Sequence, residues 1–348
     1  MSHNKPAFAI TLDGQDITSK IYPRLVSLTL TEARENAVDE LNITIDDSDG
    51  RVAIPRKGVK ITLQLGWEHS GMVDKGTFVV DEVEHEGAPD MLVLRARSAE
   101  MAKPVRTRKD RSFDQKTVAD IVGQIAKDNG LTPKVSQSLQ SKIIDHIDQT
   151  NESDINFLNR LGKRFDAVAT VKKDSLLFLP IDEGSNSKGE SLPTIALERR
   201  DGDKHRYHTA SRDAYSGVRA QWHDPNDAKE KSELIGEDDN PKRLRHIYPS
   251  QAAAEEAAKA ENNRMERGKA TLQFTLALGR PDITPMMGVR IPSLKTPIGD
   301  TDWIIVKTTH SLSAQGFTTA LEMETRKGAI EEKETSEKNA ENSTDGDQ

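Results

Sequence analysis

The chain has 348 residues, a formal net charge of −8, 34% apolar and 30% charged residues, and no cysteine. That length suits two or three domains, and the missing thiols exclude disulfides, thiolate catalysis and Cys-ligated zinc, in keeping with assembly in a reducing cytoplasm. The acidic balance weighs against general nucleic-acid affinity, four tyrosines and three tryptophans are few for a carbohydrate cleft of stacked rings, no apolar run approaches the roughly 18 residues of a membrane span, and Met1 to Ala7 lacks the order of a secretory signal.

From Phe8 to Ala99 apolar residues alternate with polar ones, the mark of strands with one buried face. Phe8, Ile10 and Leu12 share a parity, as do Val26, Leu28 and Leu30, then Leu41, Ile43 and Ile45. Val59, Ile61, Leu63, Leu65 and Trp67 give the longest beat, followed by Phe78 to Val83 and by Leu92, Leu94 and Ala96. Short strands between Gly, Pro and Asp clusters predict an antiparallel sandwich or barrel. The character changes at Lys103, where Lys103, Arg106, Arg108, Lys109 and Arg111 crowd into a predicted linker around Pro104. Val118, Ile121, Val122 and Ile125 then mark an amphipathic helix over Asp114 to Gly130, with Asp114 as candidate N-cap and Gly130 as stop. A second helix starts at Ser153, whose hydroxyl caps it while Asp154 faces its positive end, and Leu158, Leu161 and Phe165 form its stripe. Ala167 to Val171 and Leu176 to Leu179 read as a hairpin around Lys173-Asp174.

Asp182 to Ser191 reads as a polar linker, Thr194 to Leu197 and Val218 to Trp222 as strands, and Asp224 to Lys242 as an exposed loop. Ser250 to Gly268 is an alanine-rich helix. It leads into a five-beat alternation, Ala270, Leu272, Phe274, Leu276 and Leu278. Trp303 to Val306 and Phe317, Thr319, Leu321 and Met323 complete a second β-rich unit, and Glu331 to Gln348 is an acidic tail predicted to be disordered.

Chemistry-bearing motifs are missing. Neither GxxxxGK[ST] nor GxGxxG occurs, nor HExxH, nor a GxSxG elbow. Asp47, Asp49 and Gly50 sit like part of an EF-hand, but Ile45 and Arg56 would then occupy ligand positions, so an Asp-rich turn is the reading. His205 and His208 stand on opposite faces of a strand, and His310 reads as a core or surface histidine. No carboxylate pair is singled out. The basic stretch Arg106, Arg108, Lys109, Arg111 reads as a candidate interface patch, since Phe113 alone interleaves it and nucleic acid is the weaker partner for it.

The run Thr150 to Leu161 resembles the E-S-D-x-x-F-L-x-R-L segment of the phage late control gene D family, with Glu152, Ser153, Asp154, Phe157, Leu158, Arg160 and Leu161 at its marked positions. Arg111-Ser112-Phe113, Lys116-Thr117-Val118 and Ile121-Val122 resemble that family's lead-in helix. Gly279-Arg280-Pro281-Asp282, Trp303 to Val306, His310 and Gly316 to Thr319 resemble its closing β region. The resemblance runs in order from Phe8 to Glu324, with Ile155 standing where many relatives carry an aromatic residue.

The resemblance implies the hub of a contractile phage tail, related to the base of VgrG-type spikes: a homotrimer with two tube-like β-barrels per copy that matches a sixfold tube to a threefold spike. Its implied partners are the tail spike, tail tube, baseplate wedge and tape measure proteins, and its implied place is the virion's baseplate after assembly in the host cytoplasm. The fold class expected is α+β and β-rich: a first barrel over 1–102, a helical insert over 103–181, a second β region over 182–329 and a tail over 330–348. The expected role is structural and non-enzymatic, with no catalytic residue, cofactor or metal. The alternatives are the hub of a tailocin or other contractile injection device and, further off, a tail-associated peptidoglycan hydrolase or a DNA-binding regulator.

Overall fold

The computed structural model describes residues 5–34, 39–99, 107–172, 175–181, 192–209, 215–224 and 229–326. The first third forms β1 (Pro6–Leu12), β2 (Gln15–Asp16), the short helix α1 (Thr18–Ile21), β3 (Leu25–Ala33), β4 (Glu40–Asp46), β5 (Lys60–Trp67), β6 (Gly71–Glu86) and β7 (Met91–Ser98). The predicted inward residues are buried as one aliphatic core from Phe8 and Ile10 through Leu28, Leu41, Ile61 and Leu63 to Leu92 and Ala96. Val26 departs from its parity because the register with β4 shifts between Leu25 and Ser27, and the bulge turns it to solvent.

Next come β8 (Arg108–Thr117), α2 (Val118–Asp128), β9 (Thr132–Val135), the one-turn helix α3 (Gln137–Gln140), β10 (Ile143–Ser153), α4 (Asp154–Phe165), β11 (Ala167–Lys172) and β12 (Ser175–Pro180). β8 and β10 make an antiparallel ribbon, while β11, β12 and β9 make a mixed three-stranded sheet. Helix α2 starts later than predicted. Asp114 lies in β8, and the cap is Thr117, which closes a capping box with Asp120. Gly130, at φ +69°, ends the helix as predicted. The supposed linker likewise contains the first residues of β8, because Arg108 to Arg111 pair with the end of β10.

Ser153 caps α4 by accepting a hydrogen bond from the Asn156 amide at 3.4 Å. Ser153→Ala is expected to cost about 1 kcal/mol in urea unfolding; Ser153→Asn, which can also cap, is expected to restore most of it.

The remaining elements are β13 (Thr194–Ala196), β14 (Gly202–Thr209), β15 (Gly217–Asp224), β16 (Lys229–Gly236), β17 (Pro241–Tyr248), α5 (Gln251–Gly268), β18 (Ala270–Leu276), β19 (Gly288–Arg290), β20 (Trp303–Ser313) and β21 (Gly316–Thr325). An expectation is corrected here. Asp224 to Lys242 is not a plain loop, since β16 crosses it and pairs with β15 along its whole length. Helix α5 packs through its alanines. Ala254 and Ala258 lie against Val218, Ala220 and Trp222 of the β16-β15-β17 sheet, forming a small body of their own. Leu278 lies beyond the end of β18 and is exposed.

Two separate closed barrels are not found. The first and last β regions share one thirteen-stranded sheet: eleven strands run in the order β14-β18-β21-β20-β3-β4-β7-β6-β5-β1-β2, a path open at both ends among the described residues, while β19 pairs with β20 off this path and β13 pairs with β19. The join is antiparallel pairing of β20 with β3, from Ser27 opposite Ser313 to Ala33 opposite Lys307. The hairpin β20–β21 is long enough to serve both halves. Its tip gives Leu312 and Phe317 to the first core, and its base gives Trp303, Ile305, Leu321 and Met323 to the second. Alternation alone could not reveal this, because a paired edge and an open edge carry the same period-two pattern. Lys103, Arg106, Lys173-Asp174, the 182–191 stretch and the acidic tail lie outside the described residues.

Candidate functional site

With no motif for chemistry, the informative sites are those where charge is buried, because ionised groups stay inside only when partnered. Three such clusters stand out among the described residues, one in the E-S-D segment and two where the packed bodies meet.

In the E-S-D segment, β10 delivers Asp154 to the start of α4 with no exposed side-chain surface. It receives Lys109 Nζ at 2.7 Å and Arg111 at 2.5 Å from β8, Gln149 Nε2 at 2.9 Å and Asn129 Nδ2 at 2.8 Å. Desolvation would raise its pKa, but these hydrogen bonds and the Arg111 charge outweigh it and hold the carboxyl below the usual range. Glu152 instead pairs near the surface with Arg160 at 2.7 Å. Phe157, Leu158 and Leu161 are fully buried among Val118, Ile121 and Ile125, with the Phe157 ring 5.4 Å from Phe113. Of the candidate interface patch, Lys109 and Arg111 are thus engaged by Asp154. Arg108 is exposed at the start of β8, and Arg106 lies outside the described residues.

The second cluster fills the inner side of the β3–β20 join. Leu28, Leu30 and Glu32 share the inward parity of β3, opposite Leu312, His310 and Thr308. Glu32 meets Lys75 of β6 at 2.6 Å and His310 Nε2 at 3.2 Å. His310 Nδ1 lies 2.9 Å from the Thr319 hydroxyl, which accepts from the Arg280 amide at 2.9 Å. Lys75 also donates to the Pro281 carbonyl, and the Trp67 indole donates to the Gly279 carbonyl at 2.9 Å. The Gly279 to Asp282 run therefore clips the β5–β6 hairpin of the first half onto the second. A side chain at Gly279 would have its Cβ 2.5 Å from the Phe317 ring. Close by, Lys172 of β11 is bonded to Asp39.

The third cluster joins every packed body. Arg267, near the end of α5, is 1% exposed. It donates to both oxygens of Asp166 at 2.5 Å and to Glu324 of β21 at 2.8 Å. Glu324 also accepts from Arg34, just past β3, at 2.7 Å. Asp166 is the left-handed C-cap of α4, at φ +53°.

Glu32 is held down to about 2: burial would raise it, but the His310 hydrogen bond and the Lys75 charge prevail. A carboxylate depressed in the fold stabilises it above its unfolded pKa, near 4.3, and that contribution is lost as pH falls toward 2. Glu32→Gln is accordingly expected to destabilise the chain at pH 7, with the difference from the unaltered protein shrinking in acid unfolding curves below about pH 4.

Sequence reasoning located the E-S-D segment but missed Glu32, Lys75, Arg34, Arg267, Asp166 and Glu324. One signal was present: Glu32 and Arg34 continue the inward beat of Leu28 and Leu30, and a charge on that parity needs a buried partner. Among the described residues no group of three or more His, Asp or Glu is placed to hold a metal, and no helix is long and apolar enough to cross a membrane.

Residues 41–316 match the family model for the phage tail baseplate hub, covering most of the fold and all three clusters except Glu32, Arg34, Asp39, Phe317, Thr319 and Glu324. The chain belongs to the phage tail baseplate hub family. The probable baseplate hub proteins of Escherichia phages 186 and P2 are 40% and 37% identical to it, over 94% of this chain in both cases and 94% and 95% of theirs. The 43 kDa tail protein of prophage MuSo2 from Shewanella oneidensis shares the fold at a TM-score of 0.67 and 13% identity, over 92% of this chain and 98% of that one. Baseplate hub proteins of this family are structural, and the buried charges described above knit packed bodies together instead of lining a cleft.

Proposed function

We propose that this hub chain is a structural adaptor that works as a homotrimer, with each copy giving two tube-like β units to a ring that meets the tail tube on one side and the spike on the other. The observation that carries the reading is the joining of two β halves, each with its own core, into one sheet through β3 and β20. A chain built this way presents two similar bodies per copy, and three copies present six. The sheet face turned away from both cores fits the role. Across the join it shows Ser27, Thr29 and Thr31 beside Ser313, Ser311 and Thr309, a hydroxyl surface suited to a wet channel or a neighbouring copy.

In this reading 1–102 and 182–329 serve as the two tube-like units, and 103–181 braces them through Asp166, which binds Arg267, and Lys172, which binds Asp39. Arg108 belongs to a surface that meets a wedge or tape measure protein. Assembly takes place in the host cytoplasm and involves no catalytic step.

The test is the native mass of the purified chain, alone and mixed with the spike protein from the same gene cluster. A trimer, or three copies on one spike trimer, supports the adaptor. A monomer that ignores the spike overturns it.

A further inference from the structure

We propose that the β3–β20 join is an acid-operated hinge: a proton on His310 opens its polar end, between Glu32 and Thr308, while its apolar end stays shut and the two sheet halves pivot.

The join is graded along its length. At one end Leu28 faces Leu312, and Phe317 packs beside them in the first core, its ring 5.5 Å from Trp67. At the other end Glu32 faces Thr308, and the space between the two aliphatic cores is filled by Glu32, Lys75 and His310. Removing a contact at the apolar end exposes hydrocarbon. The polar end runs on past Glu32 to the Arg34 amide bond with the Val306 carbonyl and the Arg34–Glu324 pair, and opening it must release these as well. All are groups that water solvates well, so that end opens first.

The hydrogen-bond pattern fits a neutral imidazole. The Arg280 amide donates to Thr319 Oγ1; with the ring proton on Nε2, the Thr319 hydroxyl donates to Nδ1 and Nε2–H donates to Glu32. A proton on Nδ1 would reverse the middle bond and leave the Thr319 hydrogen without that acceptor.

The charges fit the same state. From β3 the ring meets Glu32, which is already neutralised by Lys75 of β6, and Lys75 Nζ itself lies 3.4 Å from Nε2. From the loop after β18 comes Asp282, paired with Arg280 at 2.7 Å. From β11 comes Lys172, paired with Asp39 just before β4, while Lys307 and Glu322 pair with each other at 2.8 Å. Each acid has its base, so a proton on His310 is a surplus charge inside the molecule. Burial accordingly lowers the His310 pKa, with Lys75 adding to that and the Glu32 hydrogen bond only partly offsetting it. A histidine depressed in the fold contributes stability above its unfolded pKa near 6.5, and that contribution is lost as pH falls below it. Glu32 has the same sign but is lost lower, toward 2.

The chain has no cysteine, so spin labels can be placed at will on the full chain. Glu86→Cys with Lys204→Cys spans the two halves; Glu86→Cys with Lys57→Cys lies within the first, and Lys204→Cys with Lys295→Cys within the last, all at exposed positions. Between about pH 7.5 and pH 5 the spanning distance is expected to change while the two internal distances hold. In His310→Gln, which still offers a donor and an acceptor but takes no proton, the spanning distance is expected to hold over the same range. NMR of the His310 ring in the otherwise unaltered chain gives an independent reading, since its protonation midpoint and the opening midpoint are expected to coincide. The hinge is overturned if the spanning distance stays fixed until the internal ones are lost with it. It is equally overturned if His310→Gln opens at the same pH, or if the ring titrates while the distance stands still.

Discussion

Arg267→Met is expected to destabilise the chain by about 3–5 kcal/mol in urea unfolding at neutral pH, the usual cost of stripping one partner from a buried ion pair. Methionine fills much of the space of the arginine stem, so the loss is not a cavity effect. It comes from Asp166 and Glu324, which lose the guanidinium that binds both. Arg34 still reaches Glu324, whereas Asp166 is 6% exposed. Adding Asp166→Asn should therefore recover a sizeable part of the loss, and a double-mutant cycle measures it. If the double variant is no more stable than Arg267→Met, the arginine acts through packing and not through charge.

Asp154→Ala carries the second large effect, about 3 kcal/mol by the same measurement. Its removal leaves Gln149 and Asn129 without a shared acceptor, and leaves Lys109 and Arg111 together without the anion between them. Lys109 retains enough exposure for water to solvate it in part, which keeps the figure toward the lower end for a buried pair. Glu152→Ala, two residues earlier at the end of β10, is expected to cost under about 1 kcal/mol because its pair with Arg160 faces solvent. The sign of the pH dependence follows from the depressed Asp154 carboxyl: its contribution is present above about 3.9 and fades as pH falls below that. The deficit of Asp154→Ala should shrink in acid accordingly.

What the sequence made legible was local. Period-two runs placed the strands that face a core, down to Leu63 and Leu272, and the Ser153 cap and the alanine-rich run from Ser250 placed two helix starts. Asp154 was read for its effect on the helix end, but its stronger role depends on β8 lying alongside β10, and no spacing within α4 encodes that pairing. The clusters at Glu32 and Arg267 were illegible for the same reason. Their partners come from β6, β20, β21 and the end of α4, and Coulombic fit between residues far apart in the chain leaves no periodic trace. The stretch 229–236 was misread because a charged strand over a small sheet, Lys229 to Glu233, has the composition of a loop. The open sheet was illegible because pairing between β3 and β20 depends on which edges meet, not on what either strand contains.

The hairpin that serves both cores also sets an order in time. His310 bonds to a residue 278 positions earlier, and Leu312 and Phe317 complete a core whose other members begin at Phe8. At typical synthesis rates that interval is on the order of tens of seconds. Through it the nascent first half holds β3 with one edge unpaired and an apolar surface uncovered. A ribosome that stops before residue 303 releases a chain whose first core lacks its last two pieces. The register of β3 is reserved for the chain's own β20, which reaches it at far higher effective concentration than any strand of another copy. The shared sheet is therefore completed only after β20 has been made, and a chain that stops short of it is left with the β3 edge unpaired.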